Sequence, residues 1–377
     1  MDILSFFSNY ILLFLALMSL LVFVHEYGHY GVARLLGVKA EIFSIGFGPE
    51  VFGWTNKRSG TRWRFSAVPL GGYVKFVGDM GPASNPADLQ QIPPELRDRV
   101  FQQRPVWQRF LVVLAGPMAN FLLAILIFAA FLATVGRPVT SNVVAKVQQN
   151  SAAYEAGIRP GDRIVRIAGW DTPTFEAISD IVILRSGLKT EVVVDRGGTQ
   201  LELPLTIRAA ELRDPWGKIH KVGRIGILGG ERTYVKVPPL RVLPAATSYT
   251  FDVTRGMVDG LWQLIVGRVQ KDELGGPIKI AQIAGQQAEL GVLAFVQLLA
   301  LFSINLGFIN LLPVPMLDGG HLFFYTVEAI RRQPLSARAL DWAFRGGLAV
   351  ILALVVFTTM NDLGSLGLWD RLQRLIG

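Results

Sequence analysis

The chain has 377 residues, 51% of them apolar and 18% charged, with a mean hydropathy of +0.39. That is more apolar than a water-soluble globular chain, and the excess collects in a few long runs, so membrane spans with a soluble insert are expected. The net charge of +8 comes with no nucleic-acid recognition motif and fits loops facing an anionic leaflet, while the lack of cysteine excludes disulfides, thiolate metal sites and cysteine nucleophiles.

The first apolar run, Tyr10 to Val24, continues past the polar cluster His25–His29 into Tyr30–Val38. Met1–Asn9 carries no Lys or Arg and no small-residue cleavage site follows, so a retained membrane helix is expected rather than a signal peptide. Between Gly31 and Arg109 lies a basic segment that includes Arg34, Lys39, Lys57, Arg58 and Arg99. Within it, apolar residues alternate at Trp63, Phe65 and Ala67 and return at Tyr73 and Phe76, with Gly71-Gly72 between, which predicts two paired strands. Phe110 to Val135 is long enough for a second span.

The composition then turns mixed, with strand-like runs at Asn142–Val147, Arg163–Ile167, Glu191–Asp195 and Leu201–Ile207. Ser151–Gly157 reads as a short helix and Pro160-Gly161 as a turn into a strand. From Pro244 to Val269 the pattern is helical and amphipathic, suited to a bilayer surface or to the side of the soluble insert. Third and fourth spans are expected at Val292–Phe308 and Gly346–Thr359, the latter short. The expected parts are 1–137 with two spans, an insert at 138–235, and 236–377 with two more. Arg331, Arg332, Arg338 and Arg345 share a side with the first basic segment if there are four spans, and an excess of Lys and Arg marks the cytoplasmic side. The insert and both termini then face outward.

His25-Glu26-Tyr27-Gly28-His29 has the H-E-x-x-H spacing. On a helix, residues four apart differ by about 40° in rotation and one turn in rise, so both imidazoles address one point. Two neutral imidazoles so placed can share a zinc ion, with Glu26 near enough to act on a metal-bound water without ligating. Chance matches occur on soluble helices. At the end of an apolar run, however, ionisable side chains cost roughly 2.5 kcal/mol or more each and persist mainly at functional sites. Catalytic zinc takes three protein ligands and an open position. Asp318, at the end of the third span, is the candidate third ligand, because that span ends on the side where the first ends; alone, Asp318-Gly-Gly320 reads equally as a turn. His321 can ligate, hydrogen-bond a ligand or face outward. His220 falls in the insert and reads as a surface histidine.

These pieces resemble the site-2 protease family of intramembrane metallopeptidases, in its bacterial branch. His25–His29, Gly116-Pro-Met-Ala-Asn120, Gly275-Gly-Pro-Ile-Lys279 and Asn310 through Gly320 occur in that family's order over nearly the whole chain. The resemblance implies that His25, His29 and Asp318 bind Zn2+, that Glu26 is the catalytic acid/base, and that Asn310 lies by the substrate. Asn120 is a looser substrate-side carry-over, whose plainer role is a hydrogen bond between helices. The insert, on Ala156–Asp162 and Ile164–Gly169, looks like a single PDZ domain where well-known relatives carry two, and implies a peptide or regulatory partner. Trp63–Phe76 looks like the family's membrane-associated β-hairpin, with Gly71, Gly72 and Tyr73 at a substrate-binding edge.

The implied fold is a polytopic α-helical membrane protein of about four transmembrane helices, with that hairpin region and one inserted PDZ-like α+β domain. The implied activity is zinc-dependent endoproteolysis in or near transmembrane segments of single-pass proteins, such as an anti-sigma factor or remnant signal peptides. The implied setting is the bacterial inner membrane, with the active site toward the cytoplasm and the insert periplasmic. Two other classes stay open. A zinc-binding scaffold has no use for Glu26 beside the metal, and a transporter would more often show internal repeats and more spans.

Overall fold

The computed structural model describes residues 10–78, 92–183, 185–213, 219–230, 232–265 and 276–365. Met1–Asn9, residues 266–269 of the amphipathic stretch and Gly275 lie outside them. In chain order, α1 (Leu12–Leu35) leads into β1 (Ala40–Thr55) and β2 (Arg62–Phe76), followed by α2 (Val106–Thr134). Next come β3 (Arg137–Thr140), β4 (Val144–Val147), α3 (Ala152–Glu155), β5 (Arg163–Ile167), β6 (Trp170–Asp171) and α4 (Phe175–Ile183). The strands β7 (Lys189–Arg196), β8 (Thr199–Thr206), β9 (Arg208–Arg213), β10 (Ile219–Arg224), β11 (Ile227–Gly229) and β12 (Arg232–Val235) follow. Among the described residues that follow, five helices are present: α5 (Pro239–Ile265), α6 (Pro277–Glu289), α7 (Val292–Leu311), α8 (Asp318–Arg331) and α9 (Ala337–Ser365). One compact unit comprises Met1–Phe128, Ala245–Leu261 and Lys271–Gly377; a second comprises Ala129–Pro244 and Trp262–Gln270.

Among the described residues, four helices are long and apolar enough to cross a membrane: α1, α2, α7 and Arg338–Met360 within α9. The fourth exceeds the apolar stretch Gly346–Thr359. Arg338, Asp341 and Arg345 lower the hydropathy of its first turns but do not break the helix, and Arg345 pairs with Asp341 one turn away at 3.0 Å.

In the first unit, α1 ends where Gly37 takes φ +75°. The Leu36, Gly37 and Val38 amides then fold back onto the carbonyls of Val32, Arg34 and Ala33 at 3.0, 3.1 and 2.9 Å. Its neighbour α2 buries Val112, Val113, Gly116, Pro117, Asn120, Ala124 and Phe128, a stripe at helical spacing. The two helices approach closely at small residues: a Cβ on Gly28 would overlap the Ala115 carbonyl.

Trp63–Ala67 and Tyr73–Phe76 do not pair with each other as the sequence pattern predicts. Residues 42–45 of β1 lie between them, Ile42 to Ile45 opposing Lys75 to Gly72 on one side and Arg62 to Phe65 on the other. Residues 50–55 of β1 then pair with the far side of 62–66. The long strand β1 escaped sequence reading because Gly46, Gly48, Pro49 and Gly53 interrupt its apolar pattern; Gly46 and Gly48 sit at φ +91° and +88°, where the strand bends. Phe43, fully buried, stacks on Trp63 at 4.2 Å and meets Tyr30 of α1 edge-on at 5.7 Å. One apolar cluster thereby joins α1, the two strands, α2 and α8 through Ala33, Phe43, Phe76, Val112 and Leu322. A second joins α1, α6 and α7 through Leu17, Leu21, Ala284 and Leu298.

The second unit is built on an antiparallel sheet in the order β6-β5-β7-β8. Gly197 and Gly198, at φ +63° and +90°, form the two-residue turn between β7 and β8. Ile164, Ile167, Val192, Val194 and Leu205 turn inward against Ile178 and Val182 of α4. Ser151 caps α3, its hydroxyl accepting the Tyr154 amide at 3.2 Å.

Asp162, 1% exposed, accepts Arg196 Nε and Nη2 and the Arg159 amide, each at 2.8 Å. Arg196→Gln is therefore expected to cost the second unit about 1–3 kcal/mol, read as faster hydrogen exchange across β5, β7 and β8 in the full chain. The Arg196 hydrogen bonds hold the Asp162 carboxyl below its usual range. That contribution is present above the unfolded value of roughly 3.9 and is lost as pH falls through the lower folded value, so wild type and variant converge in acid.

Candidate metal centre

His25 and His29 stand one turn apart on α1, each under a tenth exposed. Their Nε2 atoms are 3.2 Å apart, and the rings meet edge-on at 4.8 Å. Asp318, the first residue of α8, brings Oδ2 to 3.0 Å from His25 Nε2 and 3.4 Å from His29 Nε2. These contacts are not aligned hydrogen bonds, for Asp318 Oδ2 is buried without a hydrogen-bond partner. Three lone-pair atoms thus face a common point. Their separations match the roughly 3.3 Å expected between neighbouring ligands of a tetrahedral zinc with bonds near 2.0 Å. The donor set, two imidazoles and one carboxylate, leaves the fourth position open, so the residues fit the metal.

Neighbouring groups fix the rings. His29 Nδ1 lies 2.9 Å from the Val112 carbonyl, which accepts its proton and leaves Nε2 as a lone pair. That carbonyl belongs to the turn of α2 that precedes Pro117, whose missing amide leaves the carbonyl of Val113 without its helical partner. Asn120, fully buried, puts its side-chain amide 3.2 Å from His25 Nδ1. As placed, the Asn120 Nδ2 faces His25 Nδ1; turning that amide so that its oxygen meets the ring is what lets His25 keep its proton on Nδ1 and present Nε2 as a lone pair. Ser303 of α7 donates to the Asn120 main-chain carbonyl at 2.7 Å and steadies this turn.

Asp318 gains its place from the two glycines after it. A Cβ at Gly319 would overlap the carbonyls of Leu311 and Leu312, and one at Gly320 would overlap that of Val314. The first turn of α8 can press against the end of α7 only because both are glycine. The Asp-Gly-Gly stretch is thus the start of a helix rather than an isolated turn.

Glu26, 9% exposed, opens with His25, His29 and Asp318 into a cavity of about 540 Å³. Asn310, Gly71, Gly72 and Tyr73 line the same cavity. At Gly72 the outer ribbon of β2 passes so close to α1 that a Cβ would meet Val22 Cγ1 at 2.6 Å and Glu26 Cγ at 3.0 Å. Of the two expectations for Asn120, the structure has the hydrogen bond between helices: it meets His25 from behind and is not part of the cavity lining. His321 lines the cavity but is not in the convergent group, and burial pushes its imidazole below the ordinary range. His220 belongs to β10 in the second unit. Sequence reasoning missed the Val112 carbonyl and, for the hydrogen bond of Asn120 between helices, its partner His25, since neither a main-chain acceptor nor a helix rotation has a sequence signature.

Comparison with known proteins gives the family. The signature of peptidase family M50 matches residues 13–354. The chain is 45% identical over 368 residues to "Putative zinc metalloprotease Atu1380" of Agrobacterium fabrum, covering 96% of this chain and 97% of that one. It is 38% identical to "Metalloprotease MmpA" of Caulobacter vibrioides, covering 93% and 94%. Among solved structures, the PDZ domain of the SdrC-like protein from Listeria innocua matches 25% of this chain and 99% of its own at 19% identity, with a TM-score of 0.20. By its family signature and by identity along nearly its whole length, the chain belongs to peptidase family M50, a family of zinc metalloproteases.

Proposed function

We propose that this chain is an intramembrane endopeptidase that cuts single-pass membrane proteins in or beside their transmembrane segments. The observation that carries the reading is the meeting, in one buried cavity at the end of an apolar helix, of the His25, His29 and Asp318 ligand atoms with the Glu26 carboxylate. His25, His29 and Asp318 would hold the zinc, which when bound would act as a Lewis acid on the scissile carbonyl and lower the pKa of its water to about 7. Glu26 accepts the proton of the attacking water and returns it to the leaving amine. Asn310, in the same lining, donates its amide to the developing oxyanion. Val112 acts through His29, holding its proton on Nδ1, and Asn120 orients the His25 ring. Asn120 is on this reading a positioning residue rather than a substrate contact.

A helical substrate hides its carbonyls in its own hydrogen bonds and must unwind before it is cut. Among the described residues, 72–75 pair as a strand with β1 alone, so their other edge, apart from the Val74 amide that meets the Glu26 carboxylate, offers N–H and C=O groups that an extended substrate needs. In lipid each such group left unpaired would cost several kcal/mol. Phe47, Phe52, Trp54 and Phe65, all more than two-fifths exposed, suit these strands to a position at the membrane surface. The basic segment after α1 supports an active site toward the cytoplasm of a bacterial inner membrane, and on this reading 138–235 is a periplasmic PDZ-like part that takes a peptide or regulatory partner. Substrates of this class include anti-sigma factors and remnant signal peptides.

Glu26→Gln should keep its zinc and lose about 10²–10⁴-fold in the rate of cutting a model single-pass substrate; equal rates would end the proposed role of Glu26. Gly116→Ala puts a Cβ onto the His29 ring, and zinc affinity should fall by about 10–100-fold in a chelator competition. Unchanged affinity would show that the ring does not need this gap. Gly or Pro introduced into the substrate helix should speed cleavage, and indifference to such residues would remove the unwinding step.

A further inference from the structure

Where α1 ends, a second cavity of about 290 Å³ lies among the last turn of the helix, the start of β1 and the turn joining β1 to β2. Its charged lining is wholly cationic: Arg34, Lys39, Arg58 and Arg99. None of the four forms an ion pair among the described residues, and the acids nearest on β1 are engaged elsewhere, Glu41 with Lys75 at 3.1 Å and Glu50 with Arg62. Four like charges around one concavity repel one another, and an anion between them removes that repulsion.

The frame of the cavity is built rather than accidental. Asn56 Oδ1 accepts the amides of Arg58 and Ser59 at 2.9 and 3.3 Å. Thr61, 1% exposed, donates its hydroxyl to the Ala40 carbonyl at 2.9 Å, and the Lys39 amide bonds the Arg99 carbonyl at 3.3 Å. Arg34 is held over Tyr30, 5.6 Å from the ring, with Nη1 donating to the hydroxyl at 3.3 Å. The carboxyl end of α1 also faces this region and disfavours an anion, but a helix end amounts to about half a charge against four whole ones. Moreover, the Ala33, Arg34 and Gly37 carbonyls are already occupied by Val38, Gly37 and Arg104.

We propose that this cavity is a phosphate-binding site, filled either by the headgroup of an anionic lipid or by free phosphate. Arginine forks and a lysine ammonium are the donors that suit a tetrahedral, multiply charged oxyanion. Arg34 follows His29 by five residues, roughly 7.5 Å along the axis, at the end of the apolar stretch where a headgroup phosphate lies. A bound phosphate would tie the helix bearing His25 and His29 to the turn of the strands that pass Glu26. The lipid arm rests on the membrane placement proposed above; the free-phosphate arm does not.

The chain has no cysteine, so Ser59→Cys in the full-length protein gives a single thiol at the cavity. Its labelling by an anionic thiol reagent is followed in neutral detergent with phosphatidylglycerol, with phosphatidylcholine, or with inorganic phosphate alone. Protection by phosphatidylglycerol and not by phosphatidylcholine assigns the lipid source, and protection by inorganic phosphate assigns the free ion. Protection by none of them overturns the proposal. In native mass spectrometry of the otherwise unaltered chain, Lys39→Gln/Arg58→Gln should retain roughly thirtyfold less phosphatidylglycerol at two lost cations, with zinc content as the check on folding. If that double variant loses its zinc, the thiol protection decides alone.

Discussion

Placing two imidazoles and a carboxylate inside an apolar helix costs several kcal/mol unless every polar atom finds a partner. The surroundings of His25, Glu26 and His29 answer that cost. Val112 takes the Nδ1 proton of His29, Asn120 faces Nδ1 of His25, and Asp318 brings its carboxylate to the point that both Nε2 atoms face, where a metal cation would satisfy all three. These partners come from α2 and α8, which must therefore approach α1 closely at this depth. Glycine makes the approach possible: Gly28 and Gly116 where α1 meets α2, Gly319 and Gly320 where α8 meets the end of α7. The polar site and the small-residue contacts are one constraint, since a side chain at any of these positions would displace a ligand or its support.

The same economy of space explains the strands. Gly72 lets the outer ribbon of β2 lie against Val22 and Glu26, so a main-chain edge passes within side-chain reach of the Glu26 carboxylate. The ribbon is anchored from behind by β1, and β1 by Phe43 packed between Tyr30 and Trp63. On the proposed function the substrate arrives as unwound backbone in an apolar setting, and such a substrate needs a strand edge that is already fixed. The aromatic packing supplies that fixity.

Much of this was legible in the residues. Four apolar runs gave four helices of membrane length, because hydropathy over about 20 residues is imposed by the bilayer rather than by neighbours in the fold. The spacing of His25 and His29 carried their convergence, because helix geometry alone brings residues four apart to one face. The strand pairing was not legible. Glycines and a proline in β1 hid its pattern, and the two apolar stretches of β2 proved to lie on opposite sides of a strand unseen in the sequence. Local alternation reports which residues share a face, but not which strand lies beside them.

What the sequence determined by itself was a membrane-embedded H-E-x-x-H helix, the candidate ligand Asp318 and a separate mixed segment between spans, since each follows from local periodicity, spacing or composition. The tertiary structure decided how Asp318, nearly 300 residues away, reaches the two imidazoles, and which face of α2 supplies their partners. It also decided that Asn120 stands behind His25 rather than in the cavity, and that Arg34, Lys39, Arg58 and Arg99 gather around one space. Those outcomes depend on helix rotation and on contacts distant in the chain, which packing sets and no local pattern encodes.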